Sequence, residues 1–203
     1  MSSTRLPGKV LKDLAGKPML QWVIDAAVDS KLVDGVVVAT STMASDLPIV
    51  EYCYKQKIHC TTGPLDDVLA RYYQTALEWR ATHIVRLTAD CPLLTGEIID
   101  KTIKAYLLSG ADYTVNVFDG HDVEVFSYDN LLKAAKLATS PFDREHVTGY
   151  FRDEEFKREE VLFGGISKDI FSVNTPEEFE RMESILSGLQ SYVVRTRNEG
   201  RGI

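Results

Sequence analysis

Three clusters of polar residues in this chain are of types that could hold a phosphate and a metal ion. The first is Met1-Ser2-Ser3-Thr4-Arg5-Leu6-Pro7-Gly8-Lys9, followed at once by Val10-Leu11. Small hydroxyl residues, a Pro-Gly turn and the cations of Arg5 and Lys9 make a loop with free backbone N–H groups. Such a loop suits a polyphosphate, because the N–H groups wrap the oxygens while the cations offset their charge. It is not the P-loop of the ATPases, which needs an earlier glycine at fixed spacing and Ser or Thr after the Gly-Lys pair; Val10 stands there instead. A basic N-terminal segment with no ligand is the alternative on these residues alone.

The second cluster is Arg86-Leu87-Thr88-Ala89-Asp90-Cys91-Pro92-Leu93. Asp90 falls just past a strand predicted over 84–88, at the carboxyl end where open α/β sheets place ligands. A turn carboxylate, with Pro92 restricting the backbone beyond it, fits a Mg²⁺ ligand beside substrate phosphates. It also fits a cap on the next helix. In the third cluster, Ser172-Val173-Asn174-Thr175-Pro176-Glu177, Asn174 lies between a strand predicted over 170–173 and a helix begun by Thr175, Pro176 and Glu177. Its amide oxygen could join the same cation, or it is a plain residue at a helix start.

The elements that must position these residues alternate in type. Helices are predicted over 18–30, 47–57, 66–80 and 96–108 from apolar residues at helical spacing, and short β-branched strands over 36–39, 58–61 and 84–88. This βαβα rhythm predicts a mostly parallel sheet with helices on both sides. It breaks after Asp112. Strands are predicted over 113–117 and 123–127 with Asp119-Gly120 between them, then helices over 128–138 and 143–152, the second entered through Pro141. The charged stretch 152–160 reads as a solvated loop or helix end, and 191–203 as a peripheral tail without a clear period.

Bulk properties exclude several classes. At 203 residues the chain can bury one substantial core. A net charge of −7 argues against a general nucleic-acid binder, which would show a basic face. Cys53, Cys60 and Cys91 are too few and irregular for a disulfide framework or zinc cage, and are expected as free thiols. No apolar run approaches the roughly 18 residues of a membrane span, and no signal peptide is evident, so a soluble cytoplasmic protein is expected. Cys91 has no evident base to make it a nucleophile. Cys53, His59 and Cys60 read as a packing corner, His83 and His121 as surface residues, and Tyr72-Tyr73 as core and cleft wall.

Six motifs occur in order: the opening loop; Gly16-Lys17-Pro18-Met19-Leu20; Asp66-Asp67-Val68-Leu69 with Arg71; Asp90-Cys91-Pro92-Leu93; Asp122-Val123-Glu124-Val125-Phe126; and Arg144-Glu145-His146-Val147-Thr148. With them the chain, from Met1 to about Leu186, resembles the cytidylyltransferase family that activates acidic sugars, most closely its spore-coat polysaccharide branch (the SpsF type). The resemblance implies a single three-layer, Rossmann-like α/β domain of the nucleotide-diphospho-sugar transferase type over 1–190. A small β/α excursion would cover about 112–165, on the sugar side. It implies transfer of CMP from CTP to a sugar acid with release of pyrophosphate, dependent on Mg²⁺, in surface or spore-coat polysaccharide synthesis.

By the same resemblance, Arg5, Lys9 and Asp90 are catalytic, and Asp90 with Asn174 would hold Mg²⁺. Ser3, Thr4, Gly63, Asp66, Asp67 and Arg86 join Arg5 and Lys9 around the nucleotide. Asp122, Glu124, Arg144, Glu145 and His146 fall on the sugar side, where His146 is a base, a hydrogen-bond donor or a structural histidine. Expected partners are CTP, a sugar acid and a second copy paired through 112–150, with neither nucleic acid nor membrane. A nucleotidyltransferase for another base, a glycosyltransferase on the same fold and a non-catalytic nucleotide-binding subunit are the competing readings. Close relatives usually carry Asp where this chain has Asn174, so weaker metal binding is expected. Family members also begin with a buried apolar strand and an Ala-Arg pair ahead of the loop, and have a longer connection between Val117 and Asp122. The expectation is a start further upstream or another segment in that place, with poor stability and little activity if the strand is lacking.

Overall fold

The computed structural model describes residues 5–152, 155–163 and 171–199, the last nine of these as backbone only. Ser3, Thr4 and Ile170 lie outside the described residues. After a 3₁₀ turn at Lys9–Leu11 comes a small antiparallel hairpin, β1 (Asp13–Leu14) with β2 (Lys17–Pro18), that no sequence signal predicts. It delivers the chain to α1 (Met19–Asp29), whose Met19, Leu20, Val23, Ile24, Ala26 and Ala27 are buried.

The predicted rhythm begins here. β3 (Val37–Ser41) and β4 (His59–Gly63) flank α2 (Leu47–Gln56) and pair in parallel from Val37↔His59 to Ser41↔Gly63. Then come α3 (Val68–Glu78), β5 (His83–Leu87), α4 (Gly96–Ser109) and β6 (Tyr113–Asn116). The connection after β6 is too short to hold a crossover helix, so β7 (Val123–Ser127) returns antiparallel, inserted between β5 and β6. The last strand, β8 (Arg158–Val161), lies parallel to β6 on its other side. The described residues include three further helices: α5 (Tyr128–Leu137) and α6 (Pro141–His146) before β8, and α7 (Pro176–Glu199) after it.

Helices cover both faces of the β5–β7–β6 sheet, the expected three-layer arrangement. One face packs on α3 and α5 through Leu69, Ala76, Phe126 and Leu131, and the other on α1 and α4 through Val23, Ile99, Val123 and Val125. The alternation along β7 assigns Val123 and Val125 to one layer and Phe126 to the other, as a two-residue period requires. A third cluster joins Leu6, Leu14 and Met19 to Val173, Phe179, Met182 and Leu186, and so ties the opening loop to α7. No helix among the described residues is long and apolar enough to cross a membrane.

Four expectations are corrected. The helix predicted over 143–152 stops at His146, because Val147 takes φ 61°, a strained conformation held by its complete burial and that of Thr148 beside it; a 3₁₀ turn comes next at Gly149–Arg152. The charged stretch 152–160 contains most of β8, an outer strand on which charge is tolerated. Residues 171–173 form no strand; the Val173 N–H bonds instead to the Asp90 carbonyl at 2.9 Å. The tail expected from 191 continues α7 to Glu199, with no glycine or proline between 189 and 199 to stop it.

Two contacts between α1 and α4 make the packing testable. The Asp100 carboxylate on α4 accepts from Ser30 Oγ at 2.6 Å, Lys31 N at 3.1 Å and Leu32 N at 3.2 Å, capturing the chain as it leaves α1. Burial alone would raise its pKa, but these donors outweigh burial and hold it below the ordinary carboxylate value. A carboxyl depressed on folding stabilises above its unfolded pKa, and that contribution is lost as pH falls through the folded value. Asp100→Asn is therefore expected to be less stable than the parent at pH 7, the gap closing below about pH 4, by urea unfolding at both pH values. At Gly96 a Cβ would sit 2.7 Å from the backbone of Asp29 and Ser30. Gly96→Ala is expected to lose about 2 kcal/mol in the same assay.

Candidate active site

The opening loop is anchored before it reaches the site. Leu6 is buried, and its carbonyl accepts the Lys9 N–H at 3.2 Å, so the 3₁₀ turn starts from a fixed point. From there the Lys9 side chain crosses to two distant segments. Its ammonium donates to Asp90 Oδ2 at 3.0 Å, to the Val173 carbonyl at 2.7 Å and to Asn174 Oδ1 at 3.0 Å. An ammonium has three hydrogens, so its donors are fully used. Arg5 Nη2 approaches the same Asn174 oxygen at 3.5 Å, from a more exposed position.

The plainer readings of both ligands fall away. Asp90 does not cap α4; Thr95 does, its hydroxyl accepting from Ile98 N at 3.3 Å. Nor does Asn174 cap α7. Thr175 accepts from Glu178 N at 3.2 Å, and the Glu178 carboxylate accepts from Asn174 N at 2.7 Å and Thr175 N at 2.9 Å, a reciprocal box that leaves the Asn174 amide free to face Lys9. Asp119 secures the approach to this point. Its carboxylate accepts from Phe171 N at 2.5 Å, Ser172 N at 3.2 Å and Ser172 Oγ at 3.2 Å. Phe171 seats against Gly120, where φ is 74° and a Cβ would fall 2.3 Å from the Phe171 Cβ. His121, expected on the surface, is buried between the Phe118 and Phe171 rings, and burial pushes its pKa down.

Asp122 lies behind Asp90, with Cys91 between them. The Cys91 thiol reaches Asp122 Oδ2 at 3.2 Å. Burial, with Asp122 and Asp90 alongside, raises the thiol pKa and keeps it protonated, which excludes a nucleophilic cysteine here. Burial also raises the Asp122 carboxyl, as do the neighbouring Asp119, Asp90 and Glu124.

Several other residues expected at the site are paired with one another. Arg86 on β5 faces Glu124 on β7 and makes an ion pair with it. Glu124 Oε1 also accepts from the Tyr113 and Thr148 hydroxyls, each at 2.6 Å. Burial would lower the Arg86 pKa, but Glu124 reverses the effect and raises it. Asp67 caps α3 by accepting from Ala70 N at 2.9 Å, and its other oxygen receives Arg144 Nε at 3.0 Å, while Arg144 Nη1 donates to the Ala135 carbonyl at 2.9 Å. Thus Asp67 and Arg144, assigned by resemblance to opposite sides of a cleft, form one clasp between α3, α5 and α6. Glu145 and His146 are exposed, the His146 ring lying 4.3 Å from that of Phe142. Asp66 is exposed. Gly63 ends β4, its carbonyl accepting Thr42 N at 2.9 Å.

Lys9, Asp90 and Asn174 therefore meet on the carboxyl side of β5, with Arg5 at their rim. Residues 1–193 match the cytidylyltransferase family. The chain belongs to it. The spore coat polysaccharide biosynthesis protein SpsF of Bacillus subtilis is 33% identical over 160 residues, 75% of this chain and 67% of that protein. Two curated relatives are spanned over 62% and 67% of their length. A cytidylyltransferase from Leptospira borgpetersenii shares the fold with a TM-score of 0.86 at 27% identity, covering 98% of this chain and 92% of that one. A CMP:2-keto-3-deoxy-manno-octonic acid synthetase in complex with CTP has a TM-score of 0.71 at 16% identity, covering 92% and 95% respectively, a likeness of fold.

One feature of this family member escapes sequence reasoning. The Val173 carbonyl is a backbone atom and carries no residue-type signal. Arg71, quoted with the Asp66–Leu69 motif, is half-buried with Nη1 on the Pro64 carbonyl at 2.9 Å and a buried Nε that has no partner. The Arg86–Glu124 pair can be tested directly. Glu124→Ala leaves a buried guanidinium uncompensated and is expected to cost about 3 kcal/mol in urea unfolding. Arg86→Met combined with Glu124→Ala is expected to recover part of that loss, because the unpaired charge goes with it.

Proposed function

We propose that this cytidylyltransferase-family chain transfers CMP from CTP to a sugar acid and releases pyrophosphate, with Mg²⁺ as cofactor. One observation carries the proposal: the loop cation Lys9 converges with Asp90 and Asn174, from three separate segments, at the carboxyl end of β5. The likeness to a sugar-acid synthetase solved with CTP supports both substrates, and the likeness to SpsF supports a role in polysaccharide synthesis.

The residues present suit a hard divalent ion. Asp90 offers a carboxylate oxygen, Asn174 an amide oxygen and Val173 a carbonyl oxygen, the donor types such ions prefer. Among the described residues no group of three His, Cys, Asp or Glu side chains could hold a metal, so phosphate oxygens would complete the coordination. When bound, the ion supplies Lewis-acid neutralisation of the phosphates.

The chain's own residues do the rest. The opening loop binds the triphosphate, and Arg5 and Lys9 offset the negative charge that grows on the α-phosphate and the departing pyrophosphate as the sugar oxygen attacks. Asp119, Gly120 and the Glu178 box hold Asn174 in place. The Arg86–Glu124 and Asp67–Arg144 pairs set the wall of the cleft. Within this proposal the second copy pairs through 112–150.

Pyrophosphate release from each NTP with a panel of sugar acids and Mg²⁺ tests the reaction. Release is expected with CTP and a sugar acid. Release with another base would move the specificity, and nucleotide binding without release would make the chain a non-catalytic subunit. Lys9→Ala and Asp90→Asn are each expected to lower kcat/KM by about a hundredfold or more while the far-ultraviolet spectrum is unchanged.

A further inference from the structure

We infer that the Lys9 ammonium and a divalent cation are alternative occupants of one oxygen-lined site, so that the cation enters only as the lysine leaves. The second half of the inference, where the lysine goes, rests on the nucleotidyltransferase proposal above.

The geometry is that of a cation already coordinated. A carboxylate oxygen, an amide oxygen and a backbone carbonyl, at 3.0, 3.0 and 2.7 Å, surround one charged nitrogen. The three come from the turn after β5 and from the segment that leads into α7, joined by the Val173 N–H bond to the Asp90 carbonyl. The Lys9 side chain is only 13% exposed and the Asp90 side chain 26%, so the contacts are shielded from competing water. Two cations cannot share such a site, because their repulsion at contact distance is large in a part-buried setting.

Charge then dictates an order of events. Of the three oxygens only that of Asp90 is anionic. With Lys9 in place the set is neutral and has little attraction for a free divalent ion. With Lys9 withdrawn it carries a single negative charge, and a tightly held ion needs more. The triphosphate supplies both missing parts: further oxygens for the ion and an anionic partner for the displaced ammonium. Nucleotide and metal therefore arrive as a unit, and Lys9 exchanges Asp90 and Asn174 for phosphate by rotation of its own side chain. An Asp in place of Asn174 would leave the set negative even with Lys9 bound, so Asn174 sharpens the exclusion.

The test uses the full chain without nucleotide. Binding of Mn²⁺, followed by loss of the free-ion electron paramagnetic resonance signal, is compared between the wild type and Lys9→Met. The variant removes the competing ammonium and leaves every oxygen in place, so its Mn²⁺ affinity is expected to rise about tenfold or more. Equal or weaker binding by a folded Lys9→Met chain overturns the inference. If the variant does not fold, the wild type decides: saturating Mn²⁺ is expected to speed acetylation of the Lys9 amine by about tenfold, read by mass spectrometry, and an unchanged rate overturns the inference. Neither readout involves turnover. A negative result here leaves the transferase proposal standing, and absence of pyrophosphate release would leave the shared site but remove the account of where the lysine goes.

Discussion

The structure is organised around one charged nitrogen. The Lys9 ammonium joins the first turn of the chain to the turn after β5 and to the start of α7, segments separated by more than eighty residues in each case. Apolar packing reinforces the same junction, since Leu6, Val173, Phe179 and Met182 share a core cluster directly behind it. Much of the surrounding architecture serves to aim the three oxygens: Thr95 relieves Asp90 of capping, the Thr175–Glu178 box relieves Asn174, and Asp119 fixes the two residues before Val173. The first two devices are local, and the third reaches across the chain from Asp119 to Phe171 and Ser172. Together they release the polar groups at the centre from structural duty.

Two further polar pairings show the opposite economy. Arg86 and Glu124 neutralise each other within the sheet layer, and Asp67 and Arg144 do so between helices. In a low-dielectric interior a charge without a partner is costly, so residues of catalytic type found there are often held for architecture. That distinction cannot be drawn from residue types in a motif. It depends on which side of a strand each residue faces and on what lies opposite.

The same point explains what was legible in the sequence. The α/β fold could be read because helical and strand periods alternate cleanly through Ser109, and α7 announced its start with Thr175, Pro176 and Glu177. Lys9, Asp90 and Asn174 were legible as candidates because loop and turn positions carry side chains suited to phosphate and metal. That they would share one site was expected, whereas the third oxygen around Lys9, the Val173 carbonyl, belongs to the backbone and carries no residue-type signal. β8 was missed because an outer strand rich in Arg and Glu lacks the apolar alternation of an inner one. The break at Val147 was missed because a β-branched residue at positive φ runs against local preference and is imposed by burial. His121 was misplaced because its cover, Phe171, lies far along the chain.

The cysteines carry a practical consequence. Cys53 is fully buried with its thiol pushed up to about 12 by burial and the neighbouring Cys60; Cys60 is raised by its own burial, and Cys91 is raised further by burial and two carboxylates. Cys53 and Cys91, both buried, are thus poor targets for maleimide or iodoacetamide, whereas Cys60 is only half-buried. A single cysteine introduced on the solvent side of α4 or α5 would take up a fluorophore selectively once Cys60 alone is replaced, with Cys53 and Cys91 left in place.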